Sequence, residues 1–306
     1  MPRFLGRVAS PFDPRTLRLA NYLSVAELPP APATVSWGAK VPKWGAMLND
    51  KIGDCTVAAT GHLIQQWTGN DAGSVVTVPD SEILKAYCAV SGYAPGKAST
   101  DNGANMLDVL KYWRGTGIGG HKGIGYVAVD PLNLDQVRAA LWLFGGLYGG
   151  CLIPNNWLDG AWDKVSGGWA GGHAWELCSY DSKTGDFGVV TWGEVRRFTA
   201  KGWAATMQAQ RDAELYAVLP KDEWTGVDKV APSGFDLATL QNDLAIIGGQ
   251  PLPNPVPVPT PTPTPEPVTG TVTVVLGGVT YTGTLAPVKS GPRSWVEGTP
   301  GAPYLQ

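Results

Sequence analysis

The sequence predicts an α+β fold over residues 46–225, a helical half followed by an antiparallel β half. Three observations carry this. Four segments between residues 54 and 146 read as helices, the first two with N-cap residues. Short apolar runs separated by turn residues then follow as far as residue 220. With 306 residues, 43% of them hydrophobic, the chain can bury one large core or two ordinary ones.

The elements follow in order. Residues 1–45 are rich in proline and poor in periodicity, and "ELPPAPATVSWGAKVPKWG" reads as an extended arm lying over something else. Residues 54–68 form the first helix, with Asp54 as its N-cap and Val57, Ala58, Gly61, Leu63, Ile64 and Trp67 as a broad apolar side. "PDSEILKAYCAV" (79–90) is the second, capped by Asp80 or Ser81. "NMLDVLKYWRGTG" (105–117) is the third, stopped by glycine, and "NLDQVRAALWLFGG" (133–146) the fourth. "LYGGCLIP", "GHAWELCSYD", "DFGVVTWG" and "AELYAVLP" read as strands, with a hairpin loop in "YDSKTGDF". Residues 226–249 form a short helical connector, and 250–268 a proline-alternating spacer in polyproline II. Residues 269–306 form a small β tail whose Thr/Val alternation across Gly-Gly predicts a hairpin. A lone hairpin is marginal in water. The tail and the N-terminal arm are therefore the expected contacts for a protein partner or neighbouring subunits.

Bulk properties exclude several classes. The net charge of -3 gives no broad attraction to nucleic acid or anionic membrane. The N-terminus has no apolar stretch of signal-peptide length, and no run of about 18 apolar residues predicts a membrane span. Cys55, Cys88, Cys151 and Cys178 match no zinc spacing, and free thiols are expected. No cofactor or metal is called for.

Cys55, in "NDKIGDCTVAATGHLIQQW", is the residue most open to a chemical role. A lone cysteine at the start of an apolar helix is more often a small buried hydrophobe. Three features favour chemistry. Cys55 lies in a first helical turn, where N–H groups and the dipole favour thiolate. Asn49 lies six residues upstream, with Gly53 between, so its amide can fold back to serve an oxyanion beside the Cys55 N–H. Of three histidines, His173 follows glycines at a strand start, where a backbone or a substrate can come close. His62 lies about two turns along the same helix, and His121 is in a glycine-rich loop.

In this order the segments resemble the papain-like cysteine peptidases. "NDKIGDCTVAA" resembles the nucleophile segment, and "DNGANMLDVLKYWRGTGI" the segment after the cysteine helix. "NLDQVRAALWLFGGLYGGCLIP" resembles the helix and strand that follow, "GGHAWELCSYD" the histidine strand, and "VVTWGEV" the Trp-Gly segment. The likeness covers residues 45–220. It implies Cys55 as nucleophile, His173 as general base and Asn49 as oxyanion donor, an Asn where the family usually has Gln. Gly53, Asp54, Gly172 and Trp192 complete the implied substrate-binding set, with Trp192 packed near the histidine. One position departs. Val190 stands where the family usually has the Asn that orients the histidine, and Val cannot accept a hydrogen bond. Thr191 is expected to point to the other strand face, leaving Asp181, Asp186 or Glu194 as substitutes.

The expected function is a cysteine hydrolase domain cutting peptide or amide bonds. The "LND-IGDC-AA…GGHA…TWG" pattern resembles phage- and prophage-encoded proteins, which implies a virion protein, or one in host cytoplasm before assembly. The alternatives are a catalytically silent papain-like fold used for virion decoration or assembly, and a cell-wall-degrading lysin-type endopeptidase.

Overall fold

Helix α1 (Cys55–Asp71) runs through the middle of the main unit. The apolar Val57, Leu63, Ile64 and Trp67 are buried, as expected, and so are Thr60, His62, Gln65, Gln66 and Thr68. A helix buried all round must satisfy its polar groups internally. Thr60 donates to Val57 O, Gln65 to the Thr77 hydroxyl, Gln66 to Gly145 O and the Trp67 indole to Phe144 O. The computed structural model describes residues 2–23, 25, 31–71, 74–220, 271–276 and 279–284. The expected connector at 226–249 and the spacer at 250–268 lie outside the described residues.

The remaining helices flank α1 or the sheet. α2 (Asp80–Ser91) begins differently from the sequence reading. Its N-cap position is Pro79, whose carbonyl accepts from the Glu82 and Ile83 N–H groups, while neither Asp80 nor Ser81 caps it. Proline tolerates this place because its missing N–H lies outside the helical ladder. Asn105 caps α3 (Met106–Gly115) through the Asp108 N–H. Asn133 caps α4 (Leu134–Phe144), which ends on left-handed Gly145. α5 (Ala200–Ala205), capped by Thr199, was not anticipated.

β1 (Arg7–Val8) pairs in parallel with β3 (Ala104–Asn105), apart from the main sheet. The main sheet is seven-stranded, and each of its strand pairs is antiparallel among the described residues. In order it runs β4 (Gly123–Ala128), β9 (Glu214–Pro220), β5 (Leu147–Pro154), β6 (Trp169–Asp181), β7 (Asp186–Thr191) and β8 (Glu194–Phe198). β2 (Thr34–Ser36) joins the far end of β6. Strands β2, β4 and β8 were also not anticipated; β4 is glycine-rich and β8 mostly charged, so neither reads as an apolar run.

Two cores result. One lies between α1, α2 and α3 and one sheet face, holding Cys55, Trp67, Tyr87, Trp113 and Ala174. The other lies on the opposite face, holding Trp157, Trp162, Trp175, Phe198 and Trp203. The tryptophans that dominate this second core stack and meet edge to face, as aromatic rings prefer. The main unit belongs to Met1–Val256 and a second unit to Pro257–Gln306. Within the latter, β10 (Thr271–Leu276) and β11 (Val279–Thr284) pair antiparallel as a hairpin.

Candidate active site

The site is assembled where α1 begins, beside β6. Cys55 opens α1 with Asp54 O accepting the first helical N–H groups, from Val57 and Ala58. Its sulfur receives the Ala174 N–H at 3.4 Å, so the thiol touches the strand residue that follows His173. The Gly6 backbone N–H also bears on it. Cys55 is only 1% exposed. Burial pushes its thiol up to about 12, against the smaller opposing pull of the Ala174 N–H. The thiolate expected from the helix N-terminus is therefore not present in this state. Desolvation outweighs the dipole, which is worth at most about 2 kcal/mol.

His173 is fully buried, and its ring stacks on Trp192 at 4.2 Å between centroids and 16° between planes. Its Nε2 lies 2.5 Å from the Thr191 hydroxyl, while its Nδ1 has no hydrogen-bond partner. Burial, and secondarily the Arg196 charge, lowers it to about 3, so the imidazole is neutral. Thr191 thus supplies the side-chain partner of the imidazole that the sequence reading had sought in Asp181, Asp186 or Glu194. The reason is strand parity. Val190 pairs with Glu176, so these two share one face. His173 lies three residues from Glu176 and faces the other way, toward Thr191. The acidic substitutes are engaged elsewhere: Asp186 with Arg197, Glu194 with Arg3 and Arg196, and Asp181 with the Lys183 N–H. His62 Nε2 donates to Gly45 O, and the His121 backbone closes a turn with Ile118.

The N-terminal arm runs through this site. Asn49 Nδ2 does not turn to the sulfur; it donates to Phe4 O at 3.3 Å and to Ile52 O at 3.2 Å. The Trp192 indole donates to the same Phe4 carbonyl at 3.2 Å, and the Phe4 N–H returns a bond to Asn49 O. Gly6 O accepts from Ala104 N at 2.8 Å. Gly53, Gly103 and Gly172 share one constraint, the close passage of the arm, and Gly103 also has a left-handed backbone at φ 75°. A Cβ on Gly103 would strike Gly6 O, one on Gly172 would strike Arg7 O, and one on Gly53 would lie 2.8 Å from Leu5 O. Gly53 is also pinned by its N–H to Asp101 at 2.9 Å. Asp54 is wholly buried, and burial pushes its carboxyl well above the usual carboxylate range. The implied substrate-binding residues thus meet the chain's own N-terminus, except Asp54.

The arm does not lie in a pose for attack. A trans peptide points its N–H and C=O in opposite directions. The Leu5–Gly6 peptide has its N–H on the side of the thiol, and its carbonyl turns toward Gly53. A nucleophile needs the reverse, a carbonyl carbon over sulfur with its oxygen on the donors.

No family model and no curated protein matches this chain. Solved structures do. Xylellain, a cysteine protease from Xylella fastidiosa, superposes with TM-score 0.57 at 16% identity, covering 71% of this chain and 96% of its own. Procathepsin B from Trypanosoma congolense superposes with TM-score 0.51 at 10% identity, covering 71% of this chain and 87% of its own. The fold is that of the papain-like cysteine proteases. At these identities the likeness concerns the fold, and the chemistry must be argued from the residues. On this papain-like frame Cys55 begins the central helix and His173 sits on the adjoining strand, stacked on an aromatic ring. Among the described residues no helix is long and apolar enough to cross a membrane.

Proposed function

We propose that the chain is a papain-like cysteine hydrolase held latent by its own N-terminal arm. The observation that carries this is the arm's path. Phe4 to Gly6 occupy the donors and the sulfur that a peptide bond would need. With the arm lifted, water reaches Cys55 and His173, and burial no longer holds both neutral. His173, donating Nε2–H to Thr191, presents the free Nδ1 lone pair to take the thiol proton. The thiolate then adds to the peptide carbonyl. The oxyanion is met by Asn49 Nδ2 and the Cys55 N–H. His173 returns its proton to the departing amine, leaving a thioester. Water, deprotonated by His173, adds to the thioester carbonyl; collapse expels the sulfur and releases the acid.

A silent fold is the second reading, favoured by the neutral, enclosed Cys55 and by a cleft already filled. In the phage-type setting that the sequence pattern suggests, either protein would work in the virion, or in host cytoplasm before assembly. The test is Cys55 alkylation by iodoacetamide against pH in full-length Gly6→Ala, with and without His173→Ala. The hydrolase reading expects rapid reaction already near pH 6 that depends on His173. A rate that rises only above about pH 8, indifferent to His173, establishes the silent reading.

A further inference from the structure

His62 is a buried titratable side chain that the proposed mechanism does not use. It lies about two turns along α1 from Cys55, a rise of roughly 10 Å, and is 1% exposed. Its Nε2–H goes to Gly45 O at 2.7 Å, its ring meets Trp44 edge to face, and its Nδ1 has no hydrogen-bond partner. A carbonyl only accepts, so this bond fixes the tautomer. Burial lowers the imidazole to about 4, so it is neutral at pH 7.

What Gly45 carries is the turn that ends on Asn49. Two residues on, the backbone enters the left-handed region at Met47 (φ 50°) and stays there at Leu48 (φ 70°). Residues with a Cβ visit that region rarely, and then singly. Two in succession persist only where the surroundings over-determine them. Here Met47 is buried against α1, where a Cβ on Gly61 would overlap its sulfur. The Trp192–Gly193 turn between β7 and β8 packs on the same segment, and a Cβ on Gly193 would lie 3.1 Å from Ala46 N. His62 adds its hydrogen bond from α1. Asn49 N then bonds back to Ala46 O at 3.0 Å, and Leu48 O accepts from Lys51 N at 2.7 Å and Ile52 N at 3.0 Å. The strained turn thus aims the Asn49 amide, now spent on Ile52 O and Phe4 O. A return of Met47 or Leu48 to negative φ would swing the chain that follows, Asn49 first.

We propose that His62 is a positioning residue of the candidate site. From α1 it pins Gly45, and through the strained Met47–Leu48 turn it holds the Asn49 amide where an oxyanion would form. As a catalytic role this rests on the hydrolase reading; as the support of the turn it does not.

The experiment separates the two. His62→Leu fills the site without a donor, and His62→Gln returns an N–H at similar reach. Hydrogen exchange over residues 47–52 is first measured on otherwise wild-type, full-length protein. The expected result is at least about tenfold faster exchange in His62→Leu, with His62→Gln within about threefold of wild type. Unchanged exchange in His62→Leu overturns the proposal. Should that protein fail to melt cooperatively, His62→Phe, which keeps a ring against Trp44, takes its place. The second arm uses the Gly6→Ala background and two reagents for Cys55. Acylation by p-nitrophenyl acetate passes through an oxyanion; alkylation by iodoacetamide does not. Acylation is read as nitrophenolate release less that of Cys55→Ala. His62→Leu should slow it at least about tenfold, short of the roughly 100-fold for loss of the donor outright, and leave alkylation within about threefold. His62→Gln should restore it. Acylation that does not slow, or that falls in step with alkylation, overturns the positioning role and leaves the hydrolase reading standing. Alkylation of the Gly6→Ala parent that is indifferent to His173 sinks the hydrolase reading and the catalytic role with it, while exchange still decides whether His62 holds the turn.

Discussion

Gly6→Ala should unlock Cys55, and the structure sets the scale. A Cβ on Gly6 would overlap the Gly53 carbonyl, backbone against backbone, with no flexible side chain to yield. The arm must lift by about an ångström. That takes the Gly6 O to Ala104 N bond from 2.8 Å past the hydrogen-bonding range. One hydrogen bond at about 1 kcal/mol is worth about fivefold in the population with the arm open. Alkylation of Cys55 at fixed pH should quicken by at least that factor, read by mass-spectrometric peptide mapping. The chain carries its own controls. Cys178 is buried against Gly38 and Gly188, so its rate should not move, while half-buried Cys88 gives an accessible reference. A Cys55 rate within about threefold of wild type, or a rise matched at Cys178, refutes the argument. The first outcome would mean that the arm does not gate the thiol, the second that the variant has merely loosened the fold.

Three further outcomes follow from the same geometry. Thr191→Val leaves His173 Nε2 buried without a partner, and should cost about 1–3 kcal/mol in urea denaturation, with Thr191→Ser recovering most of it; equal midpoints for Val and wild type would remove Thr191 as orienter. Asn49→Ala should split two readouts, faster Cys55 alkylation because the arm loses an anchor, and roughly 100-fold slower peptide hydrolysis in the Gly6→Ala background because the oxyanion loses a donor. Both readouts moving the same way would contradict its double role. Glu176, fully buried beside Gln66 and Cys178, has its carboxyl pushed well above 4.5 by burial. A raised acid is at no disadvantage below pH 4.5 and costs the fold about 1.4 kcal/mol per pH unit as pH rises above it. Glu176→Gln should therefore gain melting temperature relative to wild type only above about pH 4.5, in scans from pH 4 to 8. His62 and His173 act in the opposite sense, since their lowered values, about 4 and about 3, withdraw stability as pH falls below 6.5. That part of the profile should be common to both proteins; a gain that is constant across pH would show that Glu176 is not held protonated.

The helical half could be read from the chain because caps and periodicity are local. α3 and α4 were read from their apolar spacing, and the structure adds their caps, Asn105 and Asn133, whose amide oxygens accept an N–H three residues on. α2 was misread at its start because Asp80 and Ser81 are good caps in isolation, yet the backbone turns one residue earlier, at Pro79. The order of Asn49, Cys55 and His173 also pointed to one site, and the fold bears out the architecture that this order implied. What local pattern does not carry is pairing. Thr191 was set aside because it faces away from Val190, which is true. It faces His173 only because β6 and β7 are registered Glu176 to Val190, and register is a property of two strands.

The same limit explains the arm. Residues 3–8 look featureless alone, and Gly53, Gly103 and Gly172 look like unrelated turns. Only their convergence on one extended strand gives them a common cause. That convergence also changes what Cys55 is. The thiol at the start of α1 is an inert buried hydrophobe while Gly6 lies against it, which is what a lone cysteine on an apolar helix ordinarily is. Asn49 and Trp192 are spent on the arm and Thr191 on the imidazole. Under the hydrolase proposal the structural and the chemical reading of Cys55 would be two states of one site, separated by the few hydrogen bonds and the buried arginine that hold the arm.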